Sequence, residues 1–270
     1  MALATIQQRY SLEQRIQRSQ LLRAQWSFAA EVLTTYELIL QFQQSLALAL
    51  RNSNFNNRSH GRLPLEIDLS PVLRNFQSLL QMTTDSVPET IAVNARDAED
   101  ANSVWEGLLR AYWSGTLTPN DETQSFLLHV FLQPIAEHFS ANADAPTLDQ
   151  RLRVCPFCGR RPVCGILRPE GDGAKRSLLC SFCSTEWDYR RLVCPACEQE
   201  DVQKLPVYTA QEFPYIRIEA CDVCQSFIKT IDLTKDGRAI PIVDEIASLP
   251  LTIWAQEKGY HKLQTNLVLM

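Results

Sequence analysis

The sequence predicts an α+β protein. An all-α N-terminal domain covers residues 1–150, and a C-terminal part of short strands and hairpins, organised around cysteine pairs, ends in one helix. Three observations carry this. Apolar residues recur at helical spacing through the first 150 residues, and that period fades beyond them. All nine cysteines lie between Cys155 and Cys224. Eight of them form four Cys-x-x-Cys pairs.

Taken in order, Ser11 followed by Gln14 is a capping-box pattern ahead of Ile16, Leu21 and Leu22. From Phe28, a stripe of Val32, Leu33, Tyr36, Ile39, Leu40 and Leu46 predicts a long amphipathic helix. It ends in the polar run Asn52 to Asn57, a loop continuing to Gly61. Ser70-Pro71 predicts an N-cap with proline at the first helical position. Further helices are expected over 88–99 and 103–113, and another from Thr118-Pro119 and Asp121, kinked at Pro134. The small, polar stretch Ala141 to Gln150 marks the first domain boundary. Beyond it, Tyr215–Ile218 and Phe227–Leu233 read as strands separated by glycines and prolines. A last helix is expected from Val243 to Gly259.

The net charge of -5 offers no general attraction to nucleic acid or anionic membrane. The charge is uneven, because residues 151–197 hold 9 Arg or Lys against 4 acids. Met1 to Arg15 shows no apolar core of a signal peptide. No apolar run approaches the roughly 18 residues of a membrane span, since Glu31, Glu37 and Gln41 interrupt residues 28–50. These features predict a reduced, cytoplasmic protein. They carry no reading of oligomeric state.

The four pairs are Cys155/Cys158, Cys180/Cys183, Cys194/Cys197 and Cys221/Cys224. Two cysteines three apart on a tight turn point both sulfurs at one ion, and two such turns complete a tetrahedron. There are 21 residues between the first and second pairs, 10 between the second and third, and 23 between the third and fourth. This predicts two four-cysteine domains, 151–193 and 194–270, each holding one iron or zinc ion; a crossed pairing stays open. Redox dithiols are the competing reading, and the missing βαβ pattern argues against it. Arg153, Arg160, Arg161, Arg176, Arg190 and Arg191 would offset the thiolate charge, or alternatively bind nucleic acid. Cys164 has no partner at this spacing and reads as a small buried hydrophobe or as a reactive thiol. His60, His129, His138 and His261 are scattered, with no ligand spacing. No phosphate loop, nucleophile elbow or His-Glu-x-x-His occurs, and closed four-thiolate sites leave no position for substrate; the protein is not expected to be an enzyme.

The run Cys155-Pro156-Phe157-Cys158-Gly159-Arg160-Arg161-Pro162 resembles the first knuckle of the formate dehydrogenase accessory protein FdhE family. Leu178 to Trp187, then Arg191 and Cys194-Pro195-Ala196-Cys197, is similar to its next two knuckles. Cys221-Asp222-Val223-Cys224 with Lys229 is similar to the fourth, and Asp244–Leu249 with Glu257–Tyr260 to the closing helix. The resemblance implies a helical domain followed by two small rubredoxin-like or zinc-ribbon metal domains. It favours iron, with zinc open. It also implies a chaperone-like role: binding the formate dehydrogenase catalytic subunit in the cytoplasm before export. Phe227 stands where a tyrosine is expected and Thr252 where an aspartate is, and Thr265–Met270 lacks the Asn-Pro-rich ending. These departures bear on the client, for which a related molybdenum enzyme is the alternative. Two other functions are alternatives for these residues: rubredoxin-like electron transfer through iron, and a zinc-ribbon nucleic-acid binder. Trp187 and Tyr189 are candidate client contacts, or else pack beneath the ribbon.

Overall fold

The computed structural model describes residues 10–53, 61–86, 102–117, 122–143 and 152–268. The helix expected over 88–99, the helix start at Thr118–Asp121, His60 and most of the expected loop and boundary segments lie outside them. The chain divides into two compact units. One joins the described residues up to Glu37 with 152–268, and the other spans 38–143.

In the first unit, α1 (Leu12–Gln25) starts at the expected capping box: Gln14 N–H donates to Ser11 Oγ at 3.1 Å and Ser11 N–H to the Gln14 side chain at 2.8 Å. Helix α2 (Ala30–Asn52) begins here and passes into the second unit. The strands are β1 (Pro162–Glu170), β2 (Gly173–Cys180), β3 (Glu186–Asp188), β4 (Val207–Thr209), β5 (Ile216–Ala220), β6 (Ser226–Asp232) and β7 (His261–Lys262). They form one seven-stranded sheet in the order β3-β2-β1-β6-β5-β4, with β7 beside β6. Each half holds an antiparallel hairpin, β1–β2 or β5–β6, and the parallel pair β1–β6 joins the halves. At that seam Gly165 faces Thr230. A Cβ on Gly165 would lie 2.4 Å from Thr230 Oγ1, so only glycine lets the two strands approach this closely.

The division at residue 150 places α1 with the other helices, whereas its contacts group it with the sheet. The reason is a buried ion pair. Arg18 of α1 donates to both oxygens of Asp244, at 3.0 and 2.6 Å, and Tyr215 donates to the same carboxylate at 2.8 Å. Trp26 and Phe28 pack on Phe213, with ring centroids 5.0 and 6.0 Å apart. The single helix expected over Val243–Gly259 is two: α6 (Pro241–Ala247) and α7 (Leu249–Glu257), broken at Ser248. Pro250 explains the break, since its ring would clash with the carbonyl one turn earlier and it brings no N–H.

The second unit is helical: the rest of α2, then α3 (Leu73–Ser86), α4 (Asn102–Ser114) and α5 (Glu122–Ala141). Phe76 sits at its centre, 5.1 Å from both the Trp105 and Phe131 rings. Buried Gln43 is satisfied by the Val130 carbonyl and the Gln133 side chain. Helix α3 starts at Leu73, later than Pro71, because the Leu69 carbonyl accepts from both Val72 and Leu73. Helix α5 runs through Pro134 as one element. Among the described residues no helix is long and apolar enough to cross a membrane.

Candidate metal centres

Each knuckle is built by the same backbone device. The first cysteine of each pair donates its N–H to the carbonyl five residues on: Cys155 to Arg160, Cys180 to Thr185, Cys194 to Gln199 and Cys221 to Ser226, at 2.8 to 3.0 Å. The residue directly after the second cysteine then turns left-handed. Gly159, Ser184, Glu198 and Gln225 have φ of 76°, 53°, 65° and 55°. The last three are the positive-φ residues other than glycine among the described residues. Such a backbone costs roughly 1–2 kcal/mol in an L-residue, so the turns are held by what they bring together.

They bring together two sets of four sulfurs. Cys155, Cys158, Cys180 and Cys183 form one, and Cys194, Cys197, Cys221 and Cys224 the other; within each set the sulfurs lie within 4.8 Å of one another. Thus the first knuckle meets the second and the third meets the fourth; the crossed pairing does not occur. In the first set Cys155 and Cys183 sulfurs are 3.5 Å apart, and Cys158 and Cys180 3.3 Å. In the second the corresponding distances are 3.7 and 3.7 Å. A tetrahedron with metal–sulfur bonds of about 2.3 Å has sulfur–sulfur edges of about 3.8 Å. The donor set therefore fits a four-coordinate zinc or iron ion, the second set closely and the first slightly contracted. Backbone N–H groups also point at sulfur, from Phe182 and Cys183 to Cys180 and from Ala196 to Cys194. These favour thiolate over thiol.

The two sets differ in surroundings. Cys155, Cys180 and Cys183 are buried and Cys158 is half-buried. In the second set Cys194 and Cys221 are buried, Cys224 is half-buried and Cys197 is exposed. Burial pushes the Cys158 and Cys180 thiols well up, and neighbouring sulfurs add to it. Cys155 is as buried, yet hydrogen bonds from Cys158, Cys180 and Cys183 bring it well below the ordinary thiol value. Burial would also raise Cys224, but the Ser226 hydroxyl and N–H outweigh it and lower Cys224 to about 7.

Four of the six arginines expected to offset this charge are engaged elsewhere. Arg153 donates to the Ala196 carbonyl, tying the first knuckle to the third. Arg176 pairs with Glu219 at 2.6 Å and donates to the Arg190 carbonyl. Arg190 pairs with Glu200, and Arg191 donates to the Ala174 carbonyl. Trp187 and Tyr189 are buried and do not present a contact surface: Trp187 donates to the Leu152 carbonyl and Tyr189 to that of Cys194. Cys164 is fully buried in β1, and its burial raises the thiol well above the ordinary value, as expected of the small-hydrophobe reading. Among the described residues, no histidine joins a metal-ligand group.

Sequence reasoning missed a buried charge cluster behind the sheet. Lys229 of β6 pairs with Glu245 of α6 at 3.0 Å and donates to the Glu245 and Ser248 carbonyls. Lys262 and Asn266 complete the shell of Glu245. The signal was a lone lysine and a lone acid pair inside the apolar runs Phe227–Ile231 and Ile242–Ala247.

The fold and sites define a class: a protein with a helical unit and two four-cysteine clusters set on one shared sheet. Comparison with known proteins gives the family. Residues 154–191 match "FdhE, central domain" and residues 192–269 match "FdhE, C-terminal domain". The chain is 31% identical over 252 residues to the Protein FdhE homolog of Aquifex aeolicus, covering 90% of this chain and 87% of that one. It is 26% identical over 249 residues to Protein FdhE of Escherichia coli K12, covering 88% and 79%. The crystal structure of the FdhE protein from Pseudomonas aeruginosa superposes with a TM-score of 0.72 at 25% identity, covering 97% of both chains. The chain belongs to the FdhE family.

Proposed function

We propose that this protein is a cytoplasmic accessory factor for producing active formate dehydrogenase, and that it binds the catalytic subunit before export. In this reading it is not an enzyme. Residues 151–193 and 194–270 each supply one metal site, with Cys155, Cys158, Cys180 and Cys183 as one ligand set and Cys194, Cys197, Cys221 and Cys224 as the other. The observation that carries it is two four-sulfur sets of near-tetrahedral dimensions in a chain of the FdhE family. Iron or zinc held there would contribute folding free energy, on the order of 10 kcal/mol for zinc-type sites. The knuckle turns hold the sulfurs, and the N–H groups of Phe182, Cys183 and Ala196 stabilise their charge.

The test is an anaerobic pull-down with a tagged copy in its native host, read by mass spectrometry. Recovery of a formate dehydrogenase catalytic subunit, lost when Cys194→Ser removes a ligand, is the expected result. Recovery of nucleic acid, or of no such subunit, would overturn the reading.

One observation favours a second reading, electron transfer through iron: Cys197 is exposed, and electron exchange needs a cluster near the surface. A reversible colour change on reduction of the iron-loaded chain would support it. The nucleic-acid reading is weakened, because Arg176 and Arg190 are already paired with Glu219 and Glu200.

A further inference from the structure

Beside the second cluster lies a recess of about 120 Å³, partly open to solvent, whose wall includes Cys194 and Cys221. Its apolar lining includes Leu192, Val207 and Phe227. Leu192 and Val207, 57% and 51% exposed, lie together on its rim. A cavity of roughly 150 Å³ admits a benzene ring, so this one suits a single medium-sized apolar side chain.

The charged part of the lining is one-sided. It holds Arg176, Arg191 and Arg217 against Glu219 alone, an excess of two positive charges in a chain whose net charge is -5. Arg176 and Arg217 share Glu219 at 2.6 and 2.5 Å. Among the described residues Arg191 pairs with no carboxylate, and the buried Nε of Arg176 has no hydrogen-bond partner. That Nε is out of reach of solvent, so the exposed Arg191 is the guanidinium an incoming carboxylate meets. Apolar side chains exposed beside Arg191 and this excess of positive charge fit a ligand carrying both an apolar group and a carboxylate.

We infer that this recess docks an extended segment of a partner protein in which one apolar side chain is flanked by carboxylates. The inference deepens the reading of the protein as one that binds a client, but it concerns local chemistry, and its test does not use the client. The peptide used is a fluorescein-labelled chain with one leucine between glutamates, titrated by anisotropy against the metal-loaded protein. Controls replace the glutamates by lysines, or the leucine by serine. The protein variants are Arg191→Glu and Leu192→Ser, both at exposed positions, with metal content and thermal midpoint measured beside each titration.

Saturable binding of the acidic leucine peptide is expected. It should weaken at least about tenfold with either control peptide and with either variant, while metal content and midpoint stay unchanged. Equal binding of the lysine peptide, or indifference to both variants, would overturn the inference. So would a dimer in sedimentation that Leu192→Ser dissociates, since the face would then belong to a second copy. Failure of this titration leaves the pull-down result standing. A failed pull-down beside successful peptide binding would instead remove the formate dehydrogenase reading and keep the docking site.

Discussion

The two cysteine clusters share one backbone device and differ in where it is placed. Both use paired knuckles with the same N–H to carbonyl closure and the same left-handed residue after the second cysteine. The first, which includes the last residue of β2, has three of its four cysteines buried, whereas the second leaves Cys197 exposed and has Cys194 and Cys221 in the wall of a recess. Ligand geometry is thus set by local turns, and accessibility by the packing around them. In the proposed reading, the buried first cluster serves the fold and the more exposed second cluster is the one a partner meets.

The largest effect should come from removing a buried ligand. Cys180→Ser deletes a fully buried sulfur and leaves a hydroxyl among thiolates, so the metal is lost along with most of its contribution, on the order of 10 kcal/mol. The variant should lose protease resistance across residues 152–193. Cys197→Ser, at the exposed corner, should release the second ion and lower the denaturant midpoint by less than Cys180→Ser does, with protease resistance kept over residues 152–193. Equal damage from the two substitutions would erase the contrast between the clusters.

The next prediction concerns the seam that joins them. Gly165→Ala forces a Cβ against Thr230 and should destabilise by about 1–3 kcal/mol, read as a lower denaturant midpoint. Because β1 follows the first knuckle and β6 follows the fourth, both clusters should become easier to strip with a chelator. Loss confined to one cluster would show that the halves are independent.

A smaller effect lies one residue away. Burial lowers the Lys229 ammonium to about 8, outweighing its pairing with Glu245. The folded chain then holds fewer protons than the unfolded chain between that value and the ordinary lysine value of about 10.4. Stability should accordingly rise with pH across this window, as the cost of burying the charge is removed. Denaturant midpoints measured across it check this, and Lys229→Met should flatten the rise.

The smallest effect should come from Glu198→Gly. Its φ of 65° suits glycine, and its contact with Arg153 at 3.7 Å is exposed and contributes little. A gain of up to about 1 kcal/mol is expected, visible as a small upward shift in thermal midpoint with metal content unchanged.

The two groups of four sulfurs were legible in the sequence because a knuckle is local. Two cysteines three apart and a turn residue need nothing from the rest of the chain, and the 21- and 23-residue gaps then favour the observed pairing. The helical character of α2 to α5 was legible for the same reason, since its period is short-range. The seam between β1 and β6 was not, because Gly165 and Thr230 meet through a parallel pairing that neither segment encodes alone. Nor was the place of α1, which depends on Arg18 finding Asp244 226 positions away. The break at Ser248 was readable in principle from Pro250, but the apolar residues on either side kept a helical rhythm across it. The difference in exposure between Cys180 and Cys197 was invisible, since both sit in the same four-residue pattern.

The most direct measurement is metal content by mass spectrometry with X-ray absorption at the metal edge, on the parent chain and on Cys180→Ser and Cys197→Ser. The account predicts two ions per parent chain, each with four sulfur neighbours at about 2.3 Å, and one ion in each variant. Fewer than two ions in freshly prepared anaerobic protein, oxygen or nitrogen neighbours, or variants that keep both ions would contradict it.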